Sequence, residues 1–312
     1  MGQQVAYRLL LSVPVLCGVL VFGFLLIKLA PGDPAMIVAG PTATPDVVER
    51  IRQEMGLDQP AAVQFWKYVV RIAHGDLGKS MINNSSVLAE LASAVGATAE
   101  LMFACLIWAV PAGIGLGTIA AVNHRGAIDR LVMALSVAGV SMPVFFIGLL
   151  LLQYLGYKWQ LLPFLGRGGP LWTLQGLNHI VLPALTLGFI FIGPVARMTR
   201  ASVLDVLKAD FVRTARAKGL REPAVIMRHA LRNALIPVVT LVGLQAGYLL
   251  GGAVVTESIY SWPGVGRLAV GAILASDLPL AQGAILVLAL SFIVINLIVD
   301  VLYGLLDPRI GH

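Results

Sequence analysis

Two neighbouring stretches decide the fold of this chain. The first is apolar and reads His179-Ile-Val-Leu-Pro-Ala-Leu-Thr-Leu-Gly-Phe-Ile-Phe-Ile-Gly-Pro-Val-Ala196. The second is charged and reads Asp210-Phe-Val-Arg-Thr-Ala-Arg-Ala-Lys-Gly-Leu220. Between positions 201 and 232 there are seven Lys/Arg (208, 213, 216, 218, 221, 228, 232) and three Asp/Glu (205, 210, 222). So much charge between two apolar segments indicates a loop between membrane spans onto which another molecule docks.

The composition supports a membrane protein, because 58% of the residues are hydrophobic and only 12% are charged. A helix needs roughly 20 apolar residues to cross a hydrocarbon core about 30 Å thick. Runs of that length lie near 9–29, 97–122, 131–155, 178–198, 234–256 and 281–303. Lipid offers no partners for backbone polar groups, so these runs are expected to be helical. The sequence therefore predicts an all-α integral membrane protein with six transmembrane helices.

The basic residues predict the orientation of the spans. Arg8 precedes the first span, Arg125 and Arg130 separate the second from the third, and the charged loop separates the fourth from the fifth. The alternate segments are not basic: 31–96 has five Lys/Arg against seven Asp/Glu, and 257–280 has one against two. Both termini are thus expected in the cytoplasm. The net charge of +6 comes mainly from the loops expected in the cytoplasm, so it does not indicate nucleic-acid binding.

The outer segment 31–96 is expected to contain two amphipathic helices. One starts at Thr44-Pro45-Asp46 and ends near Gly56, because Pro and an acid suit a first turn and Gly suits a helix end. The other runs from about Pro60 to Gly75, with Val63 and Trp66 on its apolar side. These apolar sides fit helices lying on the outer surface, or packing against the membrane domain.

The chain is accordingly divided into four parts. These are an N-terminal transmembrane helix (1–30), the extracytoplasmic helical segment (31–96), a core transmembrane domain (97–305) containing the cytoplasmic loop 199–232, and a cytoplasmic tail (306–312). Aromatic residues in the outer loops, Trp159, Trp172, Tyr260 and Trp262, suit the membrane interface.

Catalytic and metal-binding patterns are missing from the sequence. Gly75-Asp-Leu-Gly-Lys-Ser80 resembles a phosphate loop, but Ala73 stands where the first glycine is required. The histidines are scattered and form no ligand motif. The ionisable residues of the spans lie near span ends, at Lys28, Glu100, Arg197, Glu257 and Asp300. No proton or sodium relay is visible, so the energy source must come from another subunit.

Neutral polar residues within the spans could line a translocation path. The candidates are Ser141, Gln153, Gln245, Tyr248 and Asn296. Gln245 and Tyr248 are three residues apart and therefore share one helix face. Hydrogen bonding between helices is the simpler interpretation for most such side chains.

The charged loop has a definite predicted shape. Val203 to Lys218 suits a helix with acids early and bases late, which matches the helix dipole. Gly219 suits a left-handed stop, with Leu220 closing it. A second helix is expected to start at Pro223, with an apolar side formed by Met227, Ala230/Leu231 and Ala234 and with Arg228 and Arg232 opposite. Such a helix–glycine–helix step can transmit rigid-body motion.

This loop resembles the cytoplasmic loop of binding-protein-dependent ABC importer permeases, whose consensus is E-A-A-x-x-x-G. Arg213-Thr214-Ala215 stands where E-A-A would, and Gly219 is in register. The sequence departs from the consensus further on, where His229, Leu231 and Arg232 occupy the positions of I-x-L-P and proline comes only at Pro237. The resemblance implies that a set of loop residues couples to the ATPase, namely Asp210, Arg213, Thr214, Ala215, Lys218, Gly219, Leu220, Arg228, His229 and Arg232.

The same variant is similar to the dipeptide, oligopeptide, nickel and glutathione permease group. Further motifs of that group are Pro31-Gly-Asp-Pro34, Gly75-Asp-Leu-Gly78, Trp262-Pro-Gly-Val-Gly266 and Asp300-Val-Leu-Tyr303. Three stretches most resemble the glutathione permease branch, Ile37-Val-Ala-Gly-Pro41, Gly56-Leu-Asp-Gln-Pro60 and Gln64-Phe-Trp66.

The resemblance implies a type I ABC importer permease that is not itself an enzyme and binds no cofactor or metal. ATP and Mg would be used by two cytoplasmic ATPase subunits. The other expected partners are a second homologous permease, an extracytoplasmic substrate-binding protein and the lipid bilayer of the bacterial inner membrane. The expected substrates are dipeptides, oligopeptides or glutathione-like peptides. A nickel chelate or an opine-like conjugate is the alternative within the class. An ion-coupled secondary transporter and an intramembrane enzyme are the competing classes.

Overall fold

The structure is a computed structural model, and it describes residues 2–29, 33–40 and 42–306. Regular secondary structure in this part of the chain is helical, apart from an isolated antiparallel bridge between Lys79 and Ser86. The all-α prediction is confirmed. Pro31, Gly32 and Pro41 of the quoted motifs and positions 307–312 of the predicted tail lie outside the described residues.

The helices follow one another along the chain with short connections. They are α1 (Gly2–Leu29), α2 (Pro34–Ala39), α3 (Pro45–Glu54), α4 (Ala61–Ala73), α5 (Val87–Val122), α6 (Ala127–Ser141), α7 (Val144–Leu151), α8 (Leu174–Val206), α9 (Asp210–Ala217), α10 (Glu222–Ala224), α11 (Leu231–Ile259), α12 (Val265–Leu274) and α13 (Leu278–Leu306). Two π-helical segments continue α7 and α10, namely Leu152–Lys158 and Val225–Ala230.

Four helical runs of the described chain are long and apolar enough to cross a membrane. They are Val87–Val122, Leu174–Val206, Glu222–Ile259 and Leu278–Val299. The run predicted at 131–155 is not one straight helix: α6 and the α7 run are bent by 102°, and together they would make a fifth span. The described apolar part of α1, Leu10–Leu26, is shorter than these. The count of six therefore stays a prediction.

The bend between α6 and α7 has a local cause. Met142 is extended (φ −84°, ψ 129°) and precedes Pro143. A proline disfavours the helical conformation of the residue before it and donates no backbone hydrogen bond. The helix therefore ends at Ser141 and restarts at Val144 in a new direction.

The larger of two compact units contains Ala99–Trp262 and the chain from Val294. Its centre is α8, which packs against α6, α7 and α11. Hydrogen bonds between helices add to this packing: Trp108 Nε1 donates to the Ala184 carbonyl at 3.0 Å, and the Tyr260 hydroxyl donates to the Gly148 carbonyl at 2.9 Å. These two side chains thus find hydrogen-bond partners inside the unit, as buried polar groups require.

The outer aromatic residues do not share one environment. Trp159 and Trp172 are exposed, as expected for interfacial residues, whereas Tyr260 and Trp262 are completely buried. The interfacial prediction is therefore wrong for the latter two. Tyr260 is buried because its hydroxyl also lies 2.9 Å from Thr186 Oγ1 and so has partners in the interior.

The smaller unit contains residues 2–98 and 263–293. Helices α3 and α4 lie where the sequence predicts them, and Gly56 and Gly75 follow them with φ of 68° and 76°. On α4, Trp66 of the predicted apolar side is 67% exposed, whereas Tyr68 is buried. The Tyr68 and Phe65 rings instead pack with Phe24 of α1. This face of α4 thus packs against α1, and the location of α3 and α4 on the outer surface stays a prediction.

Close contact between α5 and α8 explains the glycine-rich run at 113–117. A β carbon on Gly117 would lie 2.4 Å from the Ala196 carbonyl oxygen, and one on Gly113 would lie 2.7 Å from Val195 Cγ1. Gly115 between them has nothing within 4 Å. Small residues four apart let two helices approach at backbone distance. Gly113 and Gly117 are therefore packing residues.

Gly117→Ala is expected to destabilise the protein, whereas Gly115→Ala is expected to be neutral. The added methyl at 117 meets a backbone carbonyl that cannot rotate away, and overpacking of this kind costs about 1–3 kcal/mol. The apparent melting temperature of the detergent-solubilised protein measures the effect. Equal melting temperatures for the two variants would contradict the tight crossing.

Candidate functional site

The charged loop begins with a break that the sequence did not predict. Helix α8 ends at Val206, and α9 starts only at Asp210, so the single helix expected from Val203 to Lys218 is wrong. The Ala209 backbone is extended (φ −70°, ψ 148°) and turns the chain before α9. Asp210 is consequently the first residue of a new helix, where its carboxylate faces the positive end of the dipole.

The predicted stop at Gly219 is confirmed. Gly219 has φ of 77°, a left-handed conformation that costs most other residues about 1–2 kcal/mol. Its N–H donates to the Arg216 carbonyl at 2.9 Å, and the Leu220 N–H donates to the Ala215 carbonyl at 3.4 Å. This pair of bonds is the Schellman motif, which satisfies the last carbonyls of α9.

A π-helical turn follows the stop and changes which residues face inward. Val225, Ile226, Ala230 and Leu231 are buried, whereas Met227 is 62% exposed. The prediction that Met227 lies on the apolar side is therefore wrong. Hydrogen bonds in a π-turn join residues five apart, so buried positions recur at 225/226 and 230/231 and the ordinary helical spacing fails.

An apolar cluster and an ion pair hold α9 against the following turn. Val212, Ala215 and Val225 are buried together. On the outside, Arg216 Nε and Nη2 donate to the two carboxylate oxygens of Glu222 at 3.1 and 2.6 Å. The hydrogen bond to this carboxylate raises the pKa of Arg216 above its ordinary value, so the guanidinium stays charged. The pair bridges the Gly219 turn and favours one geometry of the two helices.

The residues implied in ATPase coupling comprise one buried residue, one half-buried residue and a set of exposed ones. Ala215 belongs to the apolar cluster. Asp210 and Arg213 are exposed and lie 3.5 Å apart, and the Thr214 hydroxyl donates to the Asp210 carbonyl at 3.0 Å. His229 is half-buried. The remaining exposed residues are Lys218, Gly219, Leu220, Arg228 and Arg232. The loop therefore presents a predominantly basic outer surface on an apolar inner face.

The candidates for a translocation path are less uniform. Ser141 donates its hydroxyl to the Val137 carbonyl of its own helix at 2.9 Å. Gln153 is exposed in the π-helical segment Leu152–Lys158, Tyr248 is 77% exposed, and Gln245 and Asn296 are half-buried. All five lie in the larger unit. Their role stays a prediction.

Sequence reasoning missed an ion pair at the same end of α8. Asp129, in the first turn of α6, is bound by both Arg200 Nε (2.5 Å) and Arg200 Nη2 (2.6 Å). The two residues are 71 positions apart, and no local pattern connects them. The one available signal was an acid within the otherwise basic stretch 124–130.

The described residues contain no group of three or more His, Cys, Asp or Glu side chains placed to hold a metal ion. The candidate site is a surface of charged side chains on a packed helical step.

Comparison with known proteins identifies the family. Residues 113–312 match the family described as "Binding-protein-dependent transport system inner membrane component", and residues 1–102 match its N-terminal family, "Binding-prot-dependent transport system membrane comp, N-term". The chain belongs to this family. It is 46% identical over 312 residues, the full length of both chains, to the "Glutathione transport system permease protein GsiC" of Salmonella paratyphi A. The proteins of the same name from Escherichia coli K12 and Shigella dysenteriae serotype 1 match equally well.

Membership of the family defines the general role. The chain is the permease subunit of a binding-protein-dependent ABC importer in the inner membrane, and it is not catalytic. ATP hydrolysis belongs to an ATPase partner, and substrate is delivered by a substrate-binding protein. The charged loop lies in the part of the chain matched by the main family.

Gly219→Val is expected to loosen the turn after α9, whereas Gly219→Asn is expected to be tolerated because Asn adopts the left-handed conformation more readily. No atom lies within 4 Å of a β carbon at this position, so the effect is purely one of backbone conformation. A cost of about 1–2 kcal/mol corresponds to a roughly five- to thirtyfold larger population of the opened loop. Trypsin cleavage of the loop in the detergent-solubilised protein measures this, and equal cleavage rates for the two variants would exclude strain at Gly219.

Proposed function

We propose that this permease imports glutathione-like peptides. The supporting observation is the 46% identity, without truncation of either chain, to permeases named for glutathione transport. Dipeptides and oligopeptides are the next candidates. A nickel chelate or an opine-like conjugate is the alternative, because the sequence motifs are shared by that wider group.

We further propose an arrangement of six transmembrane helices with both termini in the cytoplasm. The alternation of basic and non-basic loops supports it. In this arrangement the helix of 1–30 precedes an extracytoplasmic segment (31–96), which contains α3 and α4 and is the docking surface for the binding protein. The core (97–305) carries the loop 199–232 on the cytoplasmic side, and 306–312 form a cytoplasmic tail.

The charged loop is proposed to receive force from the ATPases. Its ordered apolar side and exposed basic side support this role, because a rigid step with a charged face can fit a cleft and move with it. A second homologous permease would complete the pathway, and two ATPase subunits would bind the ATP and Mg. The neutral side chains of Ser141, Gln153, Gln245, Tyr248 and Asn296 are proposed to line the path between the permeases.

Arg213→Glu is expected to abolish uptake, because it reverses a charge in the centre of the proposed ATPase contact. Lys208→Glu is the matched control, since Lys208 is equally exposed in the preceding turn but lies outside the coupling set. Uptake and co-purification of the ATPase measure the effect, with membrane insertion checked for both variants. Gly219→Pro is expected to behave like Arg213→Glu. Normal uptake and ATPase association in both coupling variants would exclude the role.

The substrate is tested by ATP hydrolysis of the reconstituted complex with its binding protein. Glutathione is expected to stimulate hydrolysis at lower concentration than di- and tripeptides, nickel chelates or opine-like conjugates. A different order of stimulation would reassign the substrate within the class. Uptake that follows an ion gradient without ATP would overturn the ATP-driven mechanism in favour of a secondary transporter.

A further inference from the structure

Asp129 is a buried acid in the first turn of α6, directly after the loop that joins α5 to α6. Its side chain is only 4% exposed. The Arg125 N–H donates to its Oδ2 at 2.9 Å, and Arg125 itself has φ of 64°. The carboxylate therefore shapes its own loop by holding a left-handed turn that a non-glycine residue adopts only when its surroundings favour it.

The main partner of Asp129 comes from another helix. Arg200 of α8 approaches with Nε 2.5 Å from Oδ1 and Nη2 2.6 Å from Oδ2. This fork-to-fork geometry is the most directional form of ion pair, because two parallel bonds resist rotation of either side chain. His124 completes the cluster, with Nδ1 3.2 Å from Arg200 Nη2 and 3.5 Å from Asp129 Oδ2.

The position of Arg200 connects the cluster to the coupling loop. Arg200 lies within the last two turns of α8, which ends at Val206, and α9 follows after a three-residue turn. Val206 and Leu207 pack directly against the apolar cluster of α9. A displacement of α9 is thus passed to the end of α8 through packed side chains.

The contact between α6 and α8 continues beyond the ion pair. A β carbon on Gly193 would lie 2.5 Å from the Ser136 carbonyl oxygen, so the two backbones approach closely two turns further along α6. The salt bridge at one end and this crossing at the other leave the two helices little freedom to slide past each other.

We propose that the Asp129–Arg200 pair is a clamp that makes α6 and α8 move as one body with the coupling loop. Both residues are positioning residues, since they act through α9 and do not touch nucleotide or substrate. The proposal rests on the coupling role of the loop proposed above. Without the clamp, ATP-driven movement of α9 reaches α8 but is not passed to α6, so hydrolysis continues while transport falls.

Other ion pairs of the same region do not join α6 to α8: Arg216–Glu222 joins α9 to α10. Asp205–Lys208 and Asp210–Arg213 have side chains that are 76–96% exposed and lie within single helical turns. Exposed pairs are weakened by water and salt, and pairs within one turn connect no two elements. Asp129–Arg200 joins two helices and is shielded on the acid side.

The test uses the complete reconstituted complex and measures uptake per ATP hydrolysed. Asp129→Asn is expected to lower this ratio about five- to 150-fold, the range of ordinary coupling free energies, while basal hydrolysis and subunit recovery persist. Arg200→Lys keeps the positive charge but cannot make two parallel hydrogen bonds to the carboxylate. Its uptake per ATP hydrolysed should therefore lie between the values of the wild type and Asp129→Asn. The double variant Asp129→Arg with Arg200→Asp exchanges the two charges, so it should recover part of the uptake per ATP that Asp129→Asn loses. Arg130→Gln, which removes an exposed charge next to Asp129, should match the wild type.

Three results would overturn the clamp. One is an unchanged ratio in Asp129→Asn and Arg200→Lys. Another is a parallel loss of hydrolysis, uptake and assembled complex in Arg200→Lys, which would show that the pair only stabilises the fold. The third is an equal loss in Arg130→Gln. If ATP hydrolysis by the wild-type complex does not depend on substrate, both the proposed function and the clamp are overturned. If hydrolysis by the wild type does depend on substrate and Asp129→Asn has the same uptake per ATP, only the clamp is overturned.

Discussion

Close contact around α8 is the constraint on which the larger unit depends. Helices in lipid gain little from the hydrophobic effect, so they associate through van der Waals contact and hydrogen bonds between them. Gly113 and Gly117 bring α5 onto α8, and Gly193 brings α8 onto α6. Trp108 and Tyr260 add hydrogen bonds where larger side chains enter the same packing. Any residue that separates these backbones would disturb every element that uses α8 as support.

The order of the charged loop depends on this packing. Helix α8 continues from the packed interior to Val206, and its last residues cover the apolar side of α9. The turn at Gly219 and the Arg216–Glu222 bridge then fix the angle between α9 and the π-turn. A loop anchored in this way can act as a rigid projection, and an ATP-driven importer needs such a projection because its motor is a separate subunit.

Much of this loop could be predicted from local signals. The helix end at Gly219, the start at Pro223 and the exposed basic residues follow from capping preferences and charge. The break at residues 207–209 and the exposure of Met227 could not be predicted, because both segments consist of good helix formers. Packing around Val212 and Val225 selects the extended Ala209 and the π-turn. The Asp129–Arg200 pair was missed because long-range partners leave no periodic pattern in a sequence.

The sequence by itself determined the membrane class, the helical fold and the importer family. Apolar runs, basic loops and the motif around Gly219 are all local, and apolar runs of about 20 residues without strand-type alternation are helical in lipid. Only the tertiary structure decided the burial of Tyr260 and the ion pair between Asp129 and Arg200. Those features depend on which distant segments meet, and a meeting of segments is a property of packing that no single stretch of sequence contains.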